Sequence, residues 1–196
     1  MKGPLYGVRL LVLTELKLDG KEKVDGNVVR IDTPQQVSFD PQITEGAKHE
    51  HRGGDRLIAT IEELDKLTGM NATFQDALLS YEAMALIGGG TVQTTGVEPD
   101  IKVTGYTPPT LAEQAAARSP FMAEVYIAQY SEGSQAESAI VGYTKITLWN
   151  CLGNIPTFTA QDQNFLVPSY TVKSRDNIAQ SKPSFTLDDV TELPEA

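Results

Sequence analysis

Chemistry in a protein starts from histidines, cysteines, converging carboxylates or glycine-rich loops, and this chain has few of each. Its two histidines, His49 and His51, flank Glu50, with Asp55 close behind. Two imidazoles on a strand edge beside carboxylates are a pattern that can bind a transition metal, and histidine is the usual proton shuttle near neutral pH. A closed zinc site also needs a third ligand at a diagnostic separation, and none follows; Gly46, Gly53 and Gly54 make the surroundings read as a solvated loop. No metal site is expected there.

The single cysteine, Cys151, has no partner for an internal disulfide. As a nucleophile it would need a histidine beside it in space. Following Trp149 at the end of an apolar run, it reads instead as a buried, inert thiol. The triplet Gly88-Gly89-Gly90 lacks the lysine and hydroxyl residue of a phosphate-binding loop, since Thr91-Val92 follows, and it comes after a helix-forming stretch, where it reads as a stop. Asp19 to Asp25 lacks the ligand spacing of a calcium loop. Tyr126, Tyr130, Tyr143 and Trp149 fit cross-strand or interface packing better than a stacking platform for a ligand. No catalytic, cofactor-binding or metal-binding residue is assigned, and the chain is not expected to be an enzyme.

Composition sets the frame for these residues. With 196 residues, 40% hydrophobic and 21% charged, the chain can bury one substantial core, so a single domain over residues 1–196 is expected. The formal net charge of −10 makes the average surface repel phosphates and anionic lipid headgroups. The densest basic cluster, Lys21 and Lys23, is interleaved with Glu22 and Asp25. The apolar run 8–13 contains Arg9 and is too short to span a bilayer, so no membrane partner is expected; with no secretory leader in view, synthesis in the cytoplasm is.

Runs rich in Val, Ile, Thr, Tyr and Phe recur between Gly, Pro, Asn and Asp clusters, which predicts a mainly β fold: an antiparallel β-sandwich or barrel with one or two short flanking helices and long loop or hairpin extensions. Strands are expected at 5–16 and 28–32, joined by a charged hairpin extension over 17–27, whose Asp19-Gly20 and Asp25-Gly26 supply turn chemistry. Further strands are expected at 36–39 and 56–64, with a long mobile loop over 40–55 between them. In 70–79 the residues Met70, Ala72 and Phe74 alternate with Asn71, Thr73 and Gln75, the mark of a half-buried strand. Ser80 caps a short helix ending at the glycines, and Thr110 with Glu113 suggests a second over 110–118, stopped by Pro120. An antiparallel hairpin is predicted from 121–128 and 139–149 around a polar loop, 131–138. Closing strands at 157–159, 169–174 and 184–187 precede an acidic tail, 188–196.

Three stretches also carry a family resemblance. The first is Thr73-Phe74-Gln75-Asp76 followed by Tyr81-Glu82-Ala83-Met84-Ala85-Leu86-Ile87-Gly88-Gly89. The second is Ser119-Pro120-Phe121-Met122-Ala123-Glu124-Val125-Tyr126. The third is Tyr170-Thr171-Val172-Lys173-Ser174-Arg175-Asp176-Asn177, closed by Thr191-Glu192-Leu193-Pro194. In combination and order the chain resembles the tail tube (major tail) proteins of siphophages that infect Gram-positive bacteria. The resemblance implies rings, usually hexameric, stacked into a hollow virion tail through which DNA passes. It implies as partners further copies of the chain, a tape measure protein, a tail terminator and a distal tail protein. It would assign the hairpin 17–26 and the loop 40–55 to contacts within or between rings. Two rivals remain beside it: an all-β carbohydrate- or receptor-binding virion module using Trp149 and the tyrosines, and the inner tube subunit of a contractile tail or secretion device.

Overall fold

The computed structural model describes residues 3–96, 100–114, 118–131 and 140–194. It is mainly β, as the patterning predicts. In chain order the elements are β1 (Leu5–Glu15), β2 (Val28–Ile31), β3 (Pro34–Thr44), β4 (Lys48–Gly53), β5 (Arg56–Glu62), β6 (Lys66–Asp76), the helix α1 (Tyr81–Gly88), β7 (Thr91–Thr95), β8 (Lys102–Thr107), β9 (Phe121–Tyr130), β10 (Ile140–Gly153), β11 (Ser169–Ser174) and β12 (Phe185–Val190). Eight strands form one antiparallel sheet in the order β2-β1-β9-β10-β11-β6-β3, with β12 also paired to β10. Two hairpins, β4-β5 and β7-β8, stand apart from it.

The 14-residue β10 belongs to both halves of this sheet. Its first part, Tyr143 to Leu148, lies between β9 and β12. Its last part, Cys151 to Gly153, pairs with β11. Between them the register against β9 shifts, and Asn150 takes the left-handed conformation at φ 53°. Asparagine is among the few residues other than glycine that tolerate this region, and an extra residue in one strand bends it and increases its twist. The bend turns the sheet back on itself as a sandwich. Leu11, Leu13, Phe121, Val125 and Leu148 from one half share a core with Met70, Phe74, Tyr170 and Val172 from the other. Phe74, Phe121 and Leu148 are at most 1% exposed, and burial of each side chain contributes on the order of 2–3 kcal/mol. β1 and β3 approach each other across the open side without pairing, so the sheet is a sandwich and not a closed barrel.

α1 plugs one end of this core with Ala83, Met84, Leu86 and Ile87. Ser80 caps it as expected, its Oγ accepting from the Ala83 N–H at 3.1 Å. At the far end Gly89 at φ 77° breaks the helix, and the Tyr106 hydroxyl donates to the Gly89 carbonyl at 2.5 Å. That tyrosine belongs to β8 and ties the β7-β8 hairpin to the helix.

Several expectations are corrected. The stretch 40–55 is not a long loop: β3 continues to Thr44 and β4 covers most of the rest, because ladder hydrogen bonds to β6 and β5 hold this polar sequence extended. The hairpin 17–27 joins β1 to β2 antiparallel as expected, and its turn is also tied to the body. Asn177 Nδ2 donates to the Gly20 carbonyl at 2.7 Å, and Lys23 reaches back to Glu15 at 2.6 Å. Residues 111–114 form turns rather than a helix, although Glu113 accepts from both the Thr110 N–H and its hydroxyl; residues 115–117 of that expected helix lie outside the described residues. So does most of the expected loop 131–138. The strand expected at 157–159 is reduced to one bridge, Thr157 with Ser169. The acidic tail begins inside β12: Asp188 and Asp189 pair with Lys145 and Thr144, and Leu193 packs onto Leu10, Val12 and Tyr126.

The bend at Asn150 is directly testable. Asn150→Gly is expected to leave thermal stability within about 0.5 kcal/mol of the parent, whereas Asn150→Val forces a β-branched residue into φ 53° and is expected to cost roughly 1–3 kcal/mol by denaturant titration.

Candidate interaction surfaces

The residues with the most chemical potential are kept apart by the fold. His49 and His51 lie on β4 opposite Ile61 and Ala59, while Glu50, between them, faces the other side with Thr60. Glu50 is engaged there by Arg52 at 2.8 Å and by Lys48 at 3.8 Å. Among the described residues no three histidine, cysteine or carboxylate side chains come together as a metal cluster. Cys151 is fully buried, and burial pushes its thiol up to about 12. Deprotonation at neutral pH is correspondingly suppressed. The triplet Gly88 to Gly90 sits at the carbonyl end of α1, the wrong pole of a helix for an anion.

Three of the aromatic side chains singled out by the sequence are committed, while Tyr6, Phe158 and Phe165 stand exposed. Tyr126 and Tyr130 are buried, and burial, with the Glu124 charge next in importance, pushes the Tyr126 hydroxyl up to about 12. The Trp149 indole N–H donates to Thr186 Oγ1 at 3.2 Å, and the Lys182 ammonium lies 5.2 Å from its ring centroid. Tyr126, Tyr130 and Trp149 therefore offer no shared open face; the exposed rings Phe158 and Phe165 line a separate groove.

What the chain does present is solvent-exposed β structure. β3 and β6 run past the core, and beyond Gly46, whose N–H donates to Asp65 Oδ1 at 2.9 Å, the ribbon continues as β4 and β5. Every residue of β4 and β5 is exposed. From Gln42 to the turn at Gly53 and Gly54 the arm has a contour length of roughly 35–40 Å at about 3.3 Å per residue. A globule of 196 residues has a radius of gyration of about 16 Å, so the arm reaches as far as the body is wide. The ribbon has two unlike faces. His49, His51, Ala59 and Ile61 share one; Lys48, Glu50, Thr60 and Glu62 share the other. Nearer the body, Ile43 and Leu67 pair across β3 and β6, both exposed.

The sandwich also has open borders. Among the described residues, β2 and β12 end one half, each paired to a strand on one side only, and β3 ends the other. Beside β2 lies a groove of about 630 Å³ walled by β1-β2, α1 and the β7-β8 hairpin. Val28, Leu86, Val92, Ile101 and Val103 line it, with the carboxylates of Glu15 and Glu82 and, among the described residues, no cation. Val28 and Ile101 are more than half exposed. Glu15 is held at its edge by Lys23 and the Asn27 N–H. Burial alone would raise the Glu15 pKa, but these two hydrogen bonds and the lysine charge outweigh it and hold the carboxyl below its ordinary 4.5.

The arm escaped sequence reading because its residues are polar and glycine-punctuated. The alternation of Lys48 and Glu50 with His49 and His51 was the available signal. The groove had none, since its lining comes from six separate short segments.

No protein-family model and no curated protein matches the chain. Among solved structures it is similar to a chain of the anti-feeding prophage baseplate, at 15% identity over 98% of this chain and 100% of that one, with a TM-score of 0.39. It is also similar to a chain of the sheath-tube complex of an extracellular contractile injection system in its extended state, at 10% identity over 95% and 93%, with a TM-score of 0.37.

Two outcomes follow from these environments. Cys151 is expected to resist thiol reagents in the native protein and to react stoichiometrically once denaturant is added. Glu15, with its depressed pKa, adds stability that is complete above about 4.5 and lost as pH falls through its lower folded value. Glu15→Gln should therefore destabilise the protein at pH 7 by roughly 1–3 kcal/mol and flatten the loss of stability between pH 5 and 3 in acid titrations.

Proposed function

We propose that this chain is a non-enzymatic structural subunit of a phage-type tail tube, assembling with copies of itself into stacked rings, hexameric by the sequence resemblance, around a channel for DNA. The observation that carries this reading is the fully exposed β4-β5 arm, together with the unpaired borders of the sandwich. An isolated two-stranded hairpin is marginal in water, and open strand edges invite uncontrolled association unless they are blunted, covered or closed. Both features are answered by a symmetric assembly of identical copies.

The sheet topology supports a ring. In the half β2-β1-β9-β10-β12 every neighbouring pair is antiparallel, so β2 and β12 run in the same direction at opposite borders. Rotation about an axis along the strands brings β12 of one copy beside β2 of the next in parallel orientation. Repetition of that head-to-tail contact closes into a ring when the rotation divides a full turn, and no edge is then left exposed. Such a ring lies in the virion tail after assembly in the host cytoplasm, with the tape measure, terminator and distal tail proteins at its lumen and ends.

The net charge of −10 bears on both assembly and passage. Carboxylates facing the channel offer DNA phosphates no counterion-releasing partner, so the duplex slides without being held. The same charge makes subunits repel one another at low ionic strength.

Negative-stain electron microscopy of the concentrated protein is expected to show rings or hollow filaments. These should become more abundant as salt rises from about 0.01 M to about 0.3 M, because the Debye length then falls from about 30 Å to well below 10 Å. A protein that stays monomeric by analytical ultracentrifugation across that range contradicts the reading. So does a tube whose lumen is lined mainly by lysine and arginine.

A further inference from the structure

The β4-β5 arm has a face that nothing in its own chain covers, and the groove beside α1 has an apolar floor that nothing fills. We propose that these two surfaces are complementary: the arm of one copy seats its His49–His51–Ala59–Ile61 face in the groove between β1-β2, α1 and β7-β8 of a second copy. The proposal rests on the reading that the chain assembles with itself, and it names where the contact is made.

Three observations converge on the second copy as occupant. The first is pattern. The arm presents an apolar and imidazole face backed by a charged one, as expected of a ribbon buried on one side only. The groove offers Val28, Ile101 and Val103, all exposed, as the matching surface. The second is charge. Across β4 and β5, from Lys48 to Glu62, three cations, Lys48, Arg52 and Arg56, balance three carboxylates, Glu50, Asp55 and Glu62. The arm is therefore neutral within a chain of −10, and the excess acid lies on the body. Glu15 and Glu82 line the groove with no cation among the described residues there; Lys23 already pairs with Glu15, which leaves Glu82 to meet Arg56 beside the arm's turn. A copy's body thus repels the bodies around it but not their arms. The third is reach: an arm of roughly 35–40 Å is long enough to pass the boundary of its own body.

The contact is heterologous, because the arm and the groove are different surfaces. It generates a chain of copies rather than a closed pair.

Cysteine cross-linking tests the contact. Ile61→Cys and Val103→Cys change exposed positions, and Cys151 is buried and silent. When the two variants are mixed and oxidised gently at assembling concentration, a disulfide-linked dimer between them is expected. Mixing Ile61→Cys with Leu187→Cys, an equally exposed site on β12, should yield at least tenfold less. A charge exchange provides the second arm of the test. Arg56→Glu and Glu82→Lys should each raise the concentration needed for assembly several-fold, and the double variant should recover most of the loss. Tubes that form without the 61–103 cross-link, and with no response to either charge change, overturn the docking site while leaving self-assembly intact. Failure of the parent protein to assemble under any condition removes both.

Discussion

The architecture depends on one strand serving two halves of a sandwich. β10 pairs with β9 and β12 along its first part and with β11 along its last, and it makes the transition through Asn150 at φ 53°. Without that bend the eight strands would extend as an open sheet with one face in water. With it, Phe121 and Leu148 meet Phe74 and Tyr170, and the core is closed by a helix only two turns long. Strain tolerated by one asparagine is small beside the burial it permits, since each large core side chain contributes on the order of 2 kcal/mol.

The same economy leaves the periphery incomplete. Strands that reach the core are satisfied there, but β3 and β6 run on beyond it and carry β4 and β5 into solvent with every residue exposed. A two-stranded ribbon of that length gains little from its own side chains. Its hydrogen bonds are internal, so it holds its shape, yet Ile43, Leu57, Ile58, Ile61 and Leu67 remain in water. Soluble monomers rarely keep such surface without a use for it. Acidic charge over the remaining surface gives these exposed elements selectivity: indiscriminate contact between bodies is opposed, and contact at the arm tip is not.

Much of the fold was written in local pattern. The alternation in Met70, Ala72 and Phe74, the serine cap of α1, the glycine stop after it and the β9-β10 hairpin all emerge as the residue order predicts, because each depends on neighbours within a few positions. The burial of Cys151 was legible for the same reason: it follows an apolar run on β10. Where prediction failed, distant partners were responsible. The stretch 40–55 looks like a loop until β5 and β6 supply its ladder, and the turn around Gly20 looks free until Asn177 reaches it from 157 residues away.

By itself, then, the sequence determined the strand-rich class, the helix and its limits, the acid balance, and the scarcity of groups able to perform catalysis. Those properties follow from composition and from periods of two to four residues. The tertiary structure alone decided that β10 would be shared, that polar segments would stand as an arm, and that Val28, Leu86, Val92, Ile101 and Val103 would gather into one groove. Such outcomes depend on which strands pair across long separations, and pairing is chosen by the burial of whole faces rather than by any residue's own preference.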